Sequence, residues 1–288
     1  MTKEDFQELS KQIVILDGAT GSNLYKAGMP RGICSEQWIL EHEEVLMELQ
    51  RQYVEAGSQI VMAPTFGANK IRLADYGLQD QMRELNLRLV DLSQRAVEGR
   101  AYVAGDITVA GEVIGSSPEK TYEAAMENYR QQILYLKEAG VDLIVAETMI
   151  SIDETMAALE AAQSVCDLPV LCSMTVEADG SIYAGGNAVE AVESLQEMGA
   201  SAVGINCSVG PDQLEAIVTN MKSIAKVPLI VKPNAGMPVI SDEGEAIYHM
   251  TPEDFARYMT NLIGAGAGVV GGCCGTTPEF IRQLCCIL

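Results

Sequence analysis

Two cysteines stand side by side in Gly271-Gly272-Cys273-Cys274-Gly275-Thr276-Thr277-Pro278, directly after the apolar run Gly268-Val269-Val270. A third, Cys207, ends a similar run, Ala202-Val203-Gly204-Ile205-Asn206. Cysteine thiolates are favoured ligands of zinc, at about 2.3 Å. Three of them leave one tetrahedral position for an incoming molecule, the mark of a catalytic rather than a structural site. Three thiolates also donate electron density, which makes the metal a weak hydrolytic Lewis acid but a good holder of a further thiolate. The chemistry expected is activation of a substrate sulfur at neutral pH. Adjacent cysteines on a regular strand point to opposite faces. Both ligate only if the backbone turns, and Gly271, Gly272 and Gly275 permit a turn. The plainer alternatives are three buried cysteines without metal, or a vicinal disulfide.

Sulfurs so far apart in the chain need a scaffold. The sequence repeats a short β-rich run, a loop and a helical stretch. Strands are expected at 13–16, 59–63, 101–105, 142–147, 170–174, the run ending at Cys207, 229–232 and 268–272. Helices are expected at 3–12, 43–56, 79–99, 121–139, 152–165, 188–198, 213–225, 252–263 and from Pro278 onward. Gly57, Gly140, Gly199 and Gly266 follow four of these helices, where a left-handed residue stops the helix. Pro211-Asp212, Thr251-Pro252 and Thr277-Pro278 place proline in a first turn. Strands apolar on both faces suit a parallel sheet covered by helices. Eight such units predict an α/β fold, a single (β/α)8 TIM barrel spanning residues 1–288 as one domain, with an open doubly wound sheet as the alternative. Barrel chemistry lies at the C-terminal ends of the strands. The polar residues expected there are Asp17, Thr65, Asp106, Glu147, Ser173 or Thr175, Asn206 with Cys207, Asn234, and Cys273 with Cys274.

Charge excludes some functions. Forty acidic residues against 19 basic ones give a net charge of −21, which argues against nucleic acid and against an anionic membrane surface as partners. No apolar run reaches the roughly 20 residues of a membrane span. The polar opening Met1-Thr2-Lys3-Glu4-Asp5 is no secretory signal, so the expected location is the cytoplasm. A reducing compartment disfavours disulfides among the eight cysteines.

Taken with the cysteine motif, Asp17-Gly18-Ala19-Thr20-Gly21, Ala63-Pro64-Thr65-Phe66-Gly67-Ala68, Glu147-Thr148, Gly204-Ile205-Asn206-Cys207 and Pro233-Asn234-Ala235-Gly236 resemble the homocysteine S-methyltransferase family. The resemblance runs over about residues 13–281. It implies a (β/α)8 barrel, a zinc ion on Cys207, Cys273 and Cys274, and homocysteine as the methyl acceptor. It also implies that Asp17 and Glu147 hold the homocysteine amino group. Two strand-end carboxylates suit an ammonium on chemical grounds as well. Backbone N–H groups near Gly18, Ala19 and Gly21 suit the substrate carboxylate. Thr148, Ser173 and Asn234 are further candidate substrate contacts, with turn or cap roles as the alternative.

Cobalamin-dependent methionine synthases of this resemblance carry folate and cobalamin modules after the barrel, whereas this chain stops about one short helix past the cysteine motif. The loop Gly105-Asp106-Ile107-Thr108 lacks the proline that many members show. The donor expected is therefore methylcobalamin, within a methylcorrinoid and methylfolate system on a separate protein. S-methylmethionine is the alternative, and betaine is disfavoured. Two other classes stay open: a non-catalytic zinc- or thiol-binding subunit, and a lyase or aldolase using Glu147 and Lys232. Gly185-Gly186-Asn187 reads as a lid or a helix cap, and Cys285-Cys286 as packing or an attachment point. His42 and His249 read as surface residues.

Overall fold

The computed structural model describes residues 1–111, 114–117, 120–241 and 246–288. Among the described residues, ten strands follow in chain order: β1 Val14–Ile15, β2 Ile60–Met62, β3 Tyr102–Ile107, β4 Leu143–Met149, β5 Val170–Met174, β6 Ala202–Cys207, β7 Leu229–Pro233, β8 Val239–Ile240, β9 Ala246–Ile247 and β10 Ala267–Val270. Eight of them form one parallel sheet in the order β1-β10-β7-β6-β5-β4-β3-β2. A parallel bridge from Leu16 to Ile60 and a 2.8 Å bond from the Gln59 N–H to the Ile15 carbonyl draw the two edges together. The result is the expected nearly closed barrel with an outer layer of helices.

The helices are α1 Lys3–Leu9, α2 Gly21–Lys26, α3 Ser35–Glu41, α4 Glu43–Ala56, α5 Lys70–Ala74, α6 Met82–Val97, α7 Tyr122–Ala139, α8 Ile152–Val165, α9 Ala188–Glu197, α10 Glu215–Lys222, α11 Pro252–Gly264 and α12 Pro278–Cys286. Glycine ends α4 and α7 in the left-handed conformation, at φ +115° for Gly57 and +82° for Gly140. Thr251 starts α11 by accepting a hydrogen bond from the Asp254 N–H, ahead of Pro252. Asn187 does the same for α9 through Val189 and Glu190, so the Gly185-Gly186-Asn187 stretch is a turn and a helix cap.

Two apolar layers result. Barrel residues such as Leu16, Met62, Val145, Leu171, Ile230 and Val269 fill the interior. Phe6 of α1, 1% exposed, joins that cluster. The groove beside α1 is lined by Val141 and Leu168, which precede β4 and β5, so α1 plugs the N-terminal end of the barrel. The second layer packs the outer sheet face against the helices, with Tyr129, Ile133 and Leu136 of α7 fully buried.

The structure adds elements that the pattern did not suggest. Helices α2, α3 and α5 and the antiparallel ribbon of β8 with β9 lie in what read as loops. The helix expected over 79–99 starts as a 3-10 turn at Gln79–Gln81 and ends at Val97, because Glu98 takes φ +52°. Among the described residues, no helix is long and apolar enough to cross a membrane.

Candidate active site

The cysteines come together because two strand ends bend sharply. At the end of β6, Cys207 and Ser208 take φ of +58° and +60°, and Thr148 on β4 takes +58°. A left-handed conformation costs a non-glycine residue roughly 1–2 kcal/mol, so neighbours must hold it there. Asn206 is the clamp. Its Oδ1 accepts from the Thr148 N–H at 2.7 Å and from Ser173 Oγ at 2.8 Å, and its Nδ2 donates to Thr148 Oγ1 at 2.8 Å. The same Nδ2 lies 3.8 Å from Cys273 Sγ. Ser208 Oγ accepts from the Val176 N–H at 2.9 Å and fixes the far side of the bend.

After β10 the backbone is tied down on both sides. The Gly272 N–H donates to the Asp17 carbonyl at 3.0 Å, the Cys273 N–H to the Pro233 carbonyl at 2.8 Å, and the Ala235 N–H to the Cys274 carbonyl at 2.9 Å. Only the last glycine of the motif needs a special backbone angle. Gly275 has φ +83°, and a Cβ there would lie 2.3 Å from Tyr248 Cγ. Gly271 is required for closeness instead: a Cβ would sit 2.7 Å from the Asp17 carbonyl oxygen.

The three sulfurs lie within 4.8 Å of one another, with Cys207 and Cys274 4.0 Å apart. Tetrahedral zinc–sulfur bonds of about 2.3 Å would set sulfurs roughly 3.8 Å apart, so the donor set fits that ion. Hydrogen bonds from Cys207 and Cys273, with help from Tyr248, hold the Cys274 thiol well below its ordinary value. Donating those bonds pushes the Cys207 thiol up.

Beside the sulfurs lies a cavity of about 260 Å3. Its polar wall carries Asp106, Glu147 and Lys232, and Phe66 gives it an apolar flank. Lys232 Nζ sits 2.9 Å from Glu147 Oε2 and 3.6 Å from Asp17 Oδ1. Burial would pull the Lys232 ammonium down, but Glu147 and Asp17 outweigh it and the net shift is upward. A lysine locked in its charged form is a poor amine nucleophile, which removes the basis for the lyase or aldolase reading. Burial also raises Asp17, to about 6, against the pull of Lys232.

Of the residues singled out in the sequence, Gly18, Ala19, Gly21, Asp106, Glu147, Thr148 and the three cysteines line this cavity. Asp17, Ser173 and Asn234 do not line it. Asp17 is 1% exposed and faces Lys232 and the Met62 N–H, so a lysine of the chain stands where a substrate ammonium was expected. Ser173 supports Asn206, and Asn234 Nδ2 donates to the Ser208 carbonyl at 3.1 Å. The Ala19 N–H is already spent on Thr276 Oγ1 at 3.0 Å. Sequence reasoning missed the buried Lys232 ion pairs and Tyr248. The signal for the first was a lysine ending an otherwise apolar strand; for the second there was none. His42 stacks on Trp38, with ring centroids 4.1 Å apart, and His249 is exposed. Cys286 is exposed, while Cys285 packs against Gly57.

Comparison with known proteins places this geometry. The family model described as homocysteine S-methyltransferase matches residues 14–288. The methionine synthase of Mycobacterium leprae is 29% identical over 96% of this chain and 24% of its own length. The methionine synthase of Mycobacterium tuberculosis is likewise 29% identical, over 96% and 24%. The chain thus spans about a quarter of these curated relatives. The crystal structure of the homocysteine methyltransferase MmuM from Escherichia coli in its metallated form is 25% identical, covering 98% of this chain and 99% of that one, with a TM-score of 0.81. Its oxidized form matches with a TM-score of 0.81 at 25% identity, over 97% and 98% of the two chains. With its barrel, its sulfur cluster and a family match over nearly its whole length, the chain belongs to the homocysteine S-methyltransferase family of methyl-transferring enzymes.

Proposed function

We propose that this chain is a zinc-dependent methyltransferase that moves a methyl group to the thiolate of homocysteine, giving methionine. The observation that carries the reading is the convergence of Cys207, Cys273 and Cys274 within 4.8 Å, at the edge of a cavity whose wall is charged. Zinc held by these three cysteines would lower the pKa of a substrate thiol and keep it as thiolate at neutral pH. The rest is the work of the protein side chains. Asn206 and the tied-down β10 turn hold the sulfurs in place before substrate arrives, so little ordering is left for the reaction itself. The carboxylate side of the cavity takes the amino-acid end of homocysteine. Phe66 and the apolar flank keep water from the reacting sulfur. The thiolate lone pair forms the new sulfur–methyl bond as the donor's bond to methyl breaks, and that electron pair leaves with the donor.

The donor proposed first is a methylated corrinoid, charged by methylfolate, on a separate protein; S-methylmethionine is second. Zinc-loaded protein is incubated with homocysteine and, in turn, methylcobalamin, 5-methyltetrahydrofolate and S-methylmethionine. Methionine formed with the corrinoid, and lost in Cys274→Ala, supports the proposal. Activity with S-methylmethionine alone replaces the donor assignment. Zinc bound without turnover from any donor overturns the enzymatic reading in favour of a thiol-binding subunit.

A further inference from the structure

Strand β1 is two residues long, and its pairing with β10 ends at Ile15 and Val270. Two more backbone bonds extend the seam, from the Leu16 N–H to the Val270 carbonyl at 2.7 Å and from the Gly272 N–H to the Asp17 carbonyl at 3.0 Å. Past that point the two segments leave the sheet. One becomes the Gly18–Ser22 wall of the cavity, and the other becomes the turn that carries Cys273 and Cys274. Side chains take over where the ladder stops. Thr276 Oγ1 accepts from the Ala19 N–H at 3.0 Å and donates to the Cys273 carbonyl at 2.7 Å. Tyr53 of α4 donates to the Ala19 carbonyl at 2.8 Å, and the Gly275 N–H donates to Ser22 Oγ at 3.2 Å. The fit is close: a Cβ on Gly18 would lie 2.6 Å from the Tyr53 hydroxyl and 2.7 Å from Thr276 Oγ1.

Asn23, in the first turn of α2, joins the two segments with a single group. Its Nδ2 donates to the Ala19 carbonyl at 2.7 Å and to the Thr276 carbonyl at 2.8 Å, and lies 3.3 Å from the Tyr53 hydroxyl. A carboxamide has two N–H donors, so one serves each side of the seam. Ala19 and Thr276 are both buried, so a carbonyl that lost its donor would stay unsatisfied. We propose that Asn23 is a positioning residue that locks the Gly18–Ser22 wall onto the cysteine turn, so that the sulfur cluster and the wall facing it are ordered as one unit. Metal bound on one side of the seam then stiffens the wall on the other. This rests on the zinc-binding reading given under Proposed function.

Zinc affinity is measured by competition with a chromophoric chelator, and hydrogen–deuterium exchange is followed with and without zinc, on reduced wild type, Asn23→Leu and Asn23→Ser. Leucine has nearly the shape of asparagine and no donor; serine offers one donor. In wild type, zinc is expected to slow exchange over residues 17–24 as well as over 271–277. In Asn23→Leu, zinc affinity is expected to fall about 10-fold or more, because two neutral hydrogen bonds are lost. The slowing over 17–24 should vanish there, while that over 271–277 remains. Asn23→Ser should lose about 5-fold in affinity, and it carries the test if the leucine variant does not fold. Phe6→Ala, which loosens the opposite end of the barrel, controls for general destabilisation and should keep the wild-type zinc affinity and exchange pattern. Zinc affinity within about 2-fold of wild type in the Asn23 variants overturns the assignment. Zinc-induced slowing over 17–24 that survives in them, or a Phe6→Ala that reproduces their pattern, overturns it too and leaves the zinc reading intact. A wild type that binds no zinc overturns both.

Discussion

Replacing Lys232 with methionine removes its charge and leaves an unbranched apolar side chain one atom shorter. Lys232 is 3% exposed, and its partners Asp17 and Glu147 are 1% and 11% exposed in their side chains, so solvent screens these pairs weakly. At an effective dielectric constant of about 20, separations of 2.9 and 3.6 Å correspond to attractions of roughly 6 and 5 kcal/mol. Much of that is offset by desolvation. Removing one partner of a buried pair costs about 3–5 kcal/mol, because the remaining charge stays buried. The pH dependence has a definite sign. In wild type the Lys232 pKa is raised, so its contribution is fully present at neutral pH and is lost only in strong alkali. In the variant the two carboxylates lose their cation, and Asp17, already raised to about 6 with the lysine present, must rise further. A carboxylate with a raised folded-state pKa stabilises below its ordinary value and destabilises as pH climbs through the raised one. Urea unfolding followed by circular dichroism should therefore show a deficit of about 3–5 kcal/mol at pH 8 and a clearly smaller one at pH 5, at about 1.4 kcal/mol per unit of pKa. A deficit under about 1 kcal/mol at pH 8, or one that grows on acidification, refutes the reasoning.

Two other perturbations probe the frame around the site. Gly275→Ala places a side chain at φ +83° with its Cβ 2.3 Å from the Tyr248 ring, so it should cost about 1–3 kcal/mol and weaken zinc binding through the adjoining Cys274. Thermal unfolding and zinc competition against a chromophoric chelator read the two effects, and wild-type values in both would show that the turn tolerates a side chain. Phe6→Ala should cost about 3–4 kcal/mol, because it empties the plug at the N-terminal end of the barrel, yet leave zinc stoichiometry unchanged. Loss of metal in that variant would mean that the two ends of the barrel are coupled.

The barrel strands were legible because each is a short apolar run bounded by glycine or a polar tip, and that pattern is local. The sulfur cluster was legible because its residue types are rare and its glycines sit beside it. The left-handed backbone at Cys207 and Thr148 carries no sequence signal, since neither is glycine; at Thr148 it is held by the Asn206 side chain, which reaches over from β6. Lys232 reads as a polar strand tip, and only barrel closure reveals that it turns inward between acids that follow β1 and lie within β4. That closure also turns Asp17 from an expected substrate contact into a partner of Lys232. Ser173 and Asn234 were placed at the right end of the barrel, but their side chains are used on Asn206 and on the Ser208 carbonyl and do not line the cavity. Helices α2, α3 and α5 are each about two turns or less, and the β8–β9 ribbon has two residues per strand, too short for periodicity to stand out.

The central claim is that three sulfurs from two distant strand ends hold one zinc and leave room for a fourth from the substrate. X-ray absorption at the zinc edge, on reduced metal-loaded protein with and without homocysteine, tests it most directly. Three sulfur neighbours at about 2.3 Å, rising to four when homocysteine is added, are the predicted result. A first shell dominated by nitrogen or oxygen, or a sulfur count that homocysteine leaves unchanged, would contradict it.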